Sequence, residues 1–302
     1  METDVAERDK LEDFDKAPFS AAGLTFDVYA SGNAGPPVIV LHEATNLTPQ
    51  VASFARVLVG AGFRVHMPSL VGNAGDPFGG VDLAEWGQIC LNKAFKGLVG
   101  SSTRPVVMWI RALVQKVTGL APGQRVGVIG MCFSGGFALG AATEPAVAGA
   151  VACQPALPLV GAFPVIGAVT GADDEIDLDA GDLDILRHRL DAGDLRLQGY
   201  RFMEDGISPC DRMRKLTAVL GGGLDARCLP TNQPTAATPH PKHHSVISLQ
   251  LVDEVGEPTR EARDRIVQFL DWRLRDGPAP AAPSPTLRDC ALLGCARRAT
   301  AH

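Results

Sequence analysis

Short apolar runs alternate with amphipathic stretches through most of this 302-residue chain. Val38-Ile39-Val40-Leu41-His42 is brief, β-branched and preceded by Pro37, which predicts a strand buried on both faces. Val51, Phe54, Ala55 and Leu58 follow at i, i+3, i+4 and i+7, one face of a helix. Phe63 to Met67 reads as a second strand, stopped by Pro68, and residues 101–118 read as a helix. Arg125 to Gly130 predicts a strand that leads into a helix from about Gly135 to Ala142. Val147 to Cys153 and Leu197 to Phe202 are further strand candidates, and Pro164 to Val169 is another possible one. Helices are expected over Asp184 to Ala192 and Asp211 to Leu220. Ala262, Ile266, Phe269, Leu270 and Leu274 mark a last one.

Strand–helix alternation of this kind predicts an α/β fold, with a mostly parallel sheet and helices on both faces. In such sheets chemistry gathers beyond the carboxyl ends of the strands. Residues 1–16 are charged and read as a loose lead-in to a single domain over 17–276. Gly277 to Pro285 is too rich in proline for a helix, so 277–302 is expected to be a tail outside the core.

Composition narrows the function classes. The formal net charge is −6 and no Lys/Arg cluster is present, which argues against nucleic acid as a partner. No run reaches the roughly 18 apolar residues of a membrane span, and the acidic start is not a secretory signal. Seven cysteines are scattered without a CxxC pair or metal-like spacing, which favours reduced thiols and a soluble, cytoplasmic protein. P-loop, GxGxxG and HExxH patterns are absent, so neither cofactor nor metal is expected.

The sharpest motif lies at the end of the strand Val126-Gly127-Val128-Ile129-Gly130, which runs into Met131-Cys132-Phe133-Ser134-Gly135-Gly136. A strand that turns abruptly into a helix needs small residues two positions before and after the apex. This is a nucleophile elbow with cysteine at its tip. It sets Cys132 at a helix N-terminus, whose positive end steadies an oxyanion, and makes the Phe133 N–H an oxyanion donor. Ser134 is the rival nucleophile, but Cys132 stands where its preceding glycine should be, and it would fall inside the helix. A buried structural cysteine is the bland alternative. A nucleophile of this kind needs a histidine base and an acid to orient it, and in α/β-hydrolases the chain order is nucleophile, acid, histidine. Downstream of Cys132 stand His188, the cluster His240, His243 and His244, and His302; the acids at strand ends are Asp173, Asp174 and Asp205.

Gly130 to Gly136, together with the strand Val38 to Leu41 ending in His42-Glu43-Ala44, resembles the dienelactone hydrolase family. Leu47-Thr48-Pro49 and the passage from Leu58 to Pro68 reinforce the likeness, which runs with gaps over roughly residues 20–275. Ser134 departs from the family's usual glycine. The resemblance implies an α/β-hydrolase fold with a Cys132, Asp205, His244 triad. His244-Ser245-Val246 matches the family's histidine sequence, with His243 as the rival. Asp205-Gly206-Ile207-Ser208-Pro209 matches its acid, with Asp173 or Asp174 as rivals. It also implies that Glu43 sits beside the thiol and that the Ala44 N–H is the second oxyanion donor. The implied activity is hydrolysis of a small ester or lactone. Members that take dienelactones use an arginine shortly after the histidine, whereas here no Arg follows His244 until Arg260, which puts dienelactone itself in question. A non-catalytic binding or regulatory protein on the same fold is the alternative from a different class.

Overall fold

A computed structural model describes residues 7–32, 34–79, 105–119, 124–156, 176, 178–231 and 243–293. Among them lie strands β1 (Asp15–Ala21), β2 (Leu24–Ser31), β3 (Pro37–Leu41), β4 (Arg64–Pro68) and β5 (Val126–Met131). After these come β6 (Val147–Cys153), β7 (Arg196–Phe202), β8 (Leu224–Leu229) and β9 (Arg288–Asp289). The helices are α1 (Pro49–Gly60), α2 (Pro105–Gly119), α3 (Gly135–Ala141), α4 (Ala180–Ala192), α5 (Cys210–Leu220) and α6 (Pro258–Arg275).

One sheet runs in the order β1-β2-β4-β3-β5-β6-β7-β8-β9. The pairs from β4 through β3, β5, β6 and β7 to β8 are parallel, and only the outer strands β1, β2 and β9 run antiparallel. This is the α/β-hydrolase-like architecture expected. Successive side chains of a strand point to opposite faces, so the apolar run of β3 feeds two cores. Ile39 and Leu41 belong to the core that α2, α3, α4 and α5 cover on one face, while Val38 and Val40 belong to the core that α1 and α6 cover on the other. The helix α6 lies so close that a Cβ at Gly127 would stand 2.5 Å from Leu270. Thr48 caps α1 by accepting the Val51 N–H, and Pro49 fits the first turn because the N–H it lacks would have no partner within the helix there.

Both chain ends pack more firmly than their composition suggests. Leu11 and Phe14 are buried, and Asp9 and Asp13 both pair with Arg56 of α1, so part of the expected lead-in docks on the domain. The proline-rich stretch is not helical, but it runs along α6. Arg265 donates to the Ala281 carbonyl there, and Glu261 accepts from the Ser284 hydroxyl and N–H. Beyond it β9 pairs with β8, and Leu287 and Cys290 are buried. The tail is therefore part of the fold at least to β9, because Leu287 and Cys290 bury side chains that its prolines do not predict. Cys290 forms a disulfide with Cys228 of β8, which corrects the expectation of reduced thiols throughout. Disulfides persist in oxidising compartments, and the pairing removes the argument for a cytoplasmic location. Among the described residues no helix is long and apolar enough to cross a membrane. The run Pro164 to Val169 and the rival acids Asp173 and Asp174 lie outside the described residues, as do His240 and His302.

Candidate active site

Glycine is required in the elbow because the backbone folds onto itself. A Cβ at Gly130 would stand 2.2 Å from the Ser134 carbonyl oxygen, and one at Gly135 would stand 2.9 Å from Pro155 Cα. Cys132 itself adopts φ +54°, a left-handed conformation that costs a non-glycine residue energy and is typical of strained functional turns. It opens a short 3-10 turn (Cys132–Ser134) between β5 and α3, and its carbonyl accepts the Ala156 N–H at 3.0 Å.

Ser134 braces this turn. Its hydroxyl accepts the Met131 N–H at 2.9 Å and lies 2.9–3.0 Å from the carbonyls of Leu41, His42 and Met131, any of which can take its proton. The side chain is fully buried and joins the elbow to the end of β3.

Asp205 and His244 meet across the carboxyl end of the sheet, with Asp205 Oδ2 2.8 Å from His244 Nδ1 and both side chains 1% exposed. The other carboxylate oxygen, Oδ1, accepts the N–H groups of Ile207 at 2.9 Å and Ser208 at 3.0 Å, so the carboxylate is held from both sides. The histidine turn is closed by Gln250, whose side-chain carbonyl accepts the N–H groups of both His244 and Ser245. The His244 ring also interacts with Cys132. Burial disfavours charge on the ring. The facing Asp205 carboxylate and the Cys132 sulfur outweigh that and hold its pKa well above the ordinary histidine value. The His243 ring packs with its centroid 5.5 Å from that of Phe202.

Glu43 is buried at the end of β3 and faces the histidine turn. Its carboxylate accepts hydrogen bonds from the hydroxyls of Ser245 and Ser248 and, at 3.3 Å, from the Gln154 amide. Burial pushes its pKa up, against the pull of those hydrogen bonds. The adjacent His42 has a defined tautomer. Its Nε2 accepts the Leu70 N–H at 2.9 Å, so the proton is on Nδ1 and donates to the Glu43 carbonyl at 2.7 Å. Burial lowers the His42 pKa to about 4, so the ring is neutral at neutral pH. Phe133 and Ala44, the expected oxyanion donors, are both buried, one directly after Cys132 and the other after Glu43.

Residues that the motifs did not reveal complete the site. Gln154, Ser248 and Gln250 carry no distinguishing pattern. Arg201 does not stand out either, because its strand also carries Arg196 and Gln198. Among the described residues no cluster of three or more His, Cys, Asp or Glu is placed to hold a metal.

The family model of the dienelactone hydrolase family matches residues 26–180, a span that contains Glu43 and Cys132. The chain belongs to the dienelactone hydrolase family. It is thereby an ester hydrolase, although the matched span ends before Asp205 and His244. Among solved structures it is similar to a protein assigned as a dienelactone hydrolase from Klebsiella pneumoniae subsp. pneumoniae MGH 78578. Identity is 17%, the TM-score is 0.54, and 86% of this chain and 97% of that one are covered. A cold-adapted esterase from an Arctic intertidal metagenomic library is 15% identical with a TM-score of 0.53, covering 89% of this chain and 97% of that one. A dienelactone hydrolase-like promiscuous phosphotriesterase from metagenomic libraries is 17% identical with a TM-score of 0.52, covering 72% and 81%. At these identities the likeness is one of fold. No curated protein matches the chain.

Proposed function

We propose that this dienelactone hydrolase family member cleaves a small ester or lactone by two-step acyl transfer, with Cys132, His244 and Asp205 as its triad. The observation that carries the reading is the 2.8 Å contact between Asp205 Oδ2 and His244 Nδ1, on a ring that also interacts with Cys132. With Nδ1 oriented by the carboxylate, Nε2 is the nitrogen left to take the thiol proton.

The thiolate sulfur then bonds to the substrate carbonyl carbon, and the negative charge moves to oxygen, facing the N–H groups of Phe133 and Ala44. Each such donor is worth about 3 kcal/mol of barrier. Collapse of that adduct breaks the C–O bond as the imidazolium protonates the departing alkoxide. Water, deprotonated by His244, attacks the thioester, and the acid leaves as the thiol regains its proton. A thiolate expels an alkoxide more readily than an amine, so esters, lactones and thioesters suit the site better than peptides.

Hydrolysis of an aryl acetate, measured with Cys132→Ala, Cys132→Ser and Asp205→Asn alongside, tests the reading. Turnover lost in Cys132→Ala and after iodoacetamide treatment supports it. Asp205→Asn should lower kcat by on the order of 10⁴-fold, because an amide cannot hold the same tautomer. Activity that survives Cys132→Ala overturns the assignment of the nucleophile. An inert wild type with a slowly alkylating Cys132 favours a non-catalytic binding role instead.

A further inference from the structure

Arg201 sits near the end of β7, four residues before Asp205, and is 1% exposed. A buried guanidinium is costly unless its donors are satisfied, and here they are satisfied almost entirely by one loop. Nε donates to the Ser208 carbonyl at 2.8 Å, Nη2 to the Asp205 carbonyl at 3.1 Å, and Nη1 reaches the Met203 carbonyl at 3.4 Å. On the other side of that loop, the Asp205 carboxylate collects the N–H groups of Ile207 and Ser208. The segment from Met203 to Ser208 is thus gripped on its carbonyls by the arginine and on its amides by the acid it carries.

We infer that Arg201 is the positioning residue of the acid loop, fixing where the Asp205 carboxylate meets His244. The inference rests on Asp205 orienting His244 in the proposed triad. An arginine suits the task because its planar fork presents donors in fixed directions to several carbonyls at once, whereas lysine offers one flexible point. No direct Arg201–Asp205 ion pair is involved: the guanidinium holds the backbone, so the carboxylate stays available to His244. If the loop drifts, the carboxylate loses register with Nδ1, and a displacement of about 1 Å can cost on the order of a hundredfold in rate.

The experiment compares Arg201→Gln and Arg201→Lys, each in wild type and in Asp205→Asn, by steady-state hydrolysis of an aryl acetate across a pH series. Circular dichroism checks the fold of each variant. Arg201→Gln should lower kcat by on the order of a hundredfold with KM little changed, and Arg201→Lys should fall between it and wild type. The histidine pKa in the kcat/KM profile should also move down, because the Asp205 carboxylate contributes to raising it. In the Asp205→Asn background Arg201→Gln should cost little more, since the acid it positions is already gone. An equal loss in both backgrounds, a rise in KM alone, or no loss overturns the role. So does failure of both variants to fold, which would make the arginine a folding element. Full activity of Asp205→Asn by itself would instead sink the triad reading, so the two failures are distinguishable.

Discussion

The Glu43 carboxylate accepts a hydrogen bond from the hydroxyl of Ser245, the residue that follows His244. With the parallel bond from Ser248, this ties the end of β3 to the turn that carries the histidine. The two segments are far apart in sequence, and their junction is a buried acid rather than an apolar contact.

That acid should leave a signature in stability against pH. Burial raises the Glu43 pKa, so the folded chain holds this proton more tightly than the unfolded chain does. The stabilisation is fully present below the ordinary value of 4.5 and is lost as pH rises from there through the folded pKa. Glu43→Gln keeps a carbonyl for the serine hydroxyls but cannot ionise. Thermal unfolding at a series of pH values should therefore show the variant gaining on wild type as pH rises above 4.5. A difference in Tm that is the same at every pH would sink the idea.

Ser134 is predicted to be a brace and not a nucleophile. Ser134→Ala leaves the buried Met131 N–H without its acceptor, which should cost about 1–3 kcal/mol in denaturant unfolding. Cys132 should still be alkylated in that variant, and a serine-directed phosphonate should leave Ser134 unmodified in wild type. A phosphonate adduct on Ser134, found by mass spectrometry, would reverse the assignment.

Strands β3, β5 and β6 at the centre of the sheet were legible because they are continuous apolar runs. Pro37–Leu41 and Val126–Met131 are buried at every position, so no register had to be guessed. The outer strands were not legible for the converse reason. β1 is exposed along most of its length, and β8 interleaves Asp225 and Arg227 with apolar residues, so neither forms an apolar run. At the site, the elbow follows from sterics that any strand-to-helix turn imposes. Local sequence leaves several acids and histidines open at the other two positions, because their pairing is set by long-range strand order. Resemblance supplied Asp205 and His244, and the two lie together. The grip of Arg201 on the acid loop and the closure of the histidine turn by Gln250 depend on backbone carbonyls and amides, which leave no residue pattern to read.

Acid should weaken the fold through two buried histidines. Burial lowers the pKa of both His42 and His66 to about 4, from an ordinary value of 6.5. The unfolded chain binds protons in that window and the folded chain does not, so stability is lost as pH falls from 6.5 towards 4. Each ring contributes up to roughly 3 kcal/mol by the size of the shift. His66→Leu removes a ring whose Nε2 has no hydrogen-bond partner among the described residues. Urea titrations should show the variant gaining on wild type through that window; parallel pH profiles would rule the His66 contribution out.

The disulfide joins Cys228 of β8 to Cys290 across a sequence separation of 62 residues, and so constrains the unfolded chain more than it alters the native contacts. In the chain-entropy account a loop of that length is worth about 4 kcal/mol. Cys290→Ser should therefore lower the unfolding free energy by up to that amount. Arg201 lies beside the same bond, with Nη1 3.6 Å from Cys228 Sγ, yet its hold on the acid loop is through three carbonyls that the disulfide does not supply. Turnover per folded molecule should accordingly persist in Cys290→Ser while Tm falls. A thiol titration of the denatured, unreduced protein should leave Cys228 and Cys290 unreactive. If both react, the edge is not cross-linked, and the stability difference should vanish with it. If the bond is present and its loss abolishes kcat at temperatures where the chain stays folded, then β9 and the acid loop are coupled more tightly than the carbonyl contacts alone would make them.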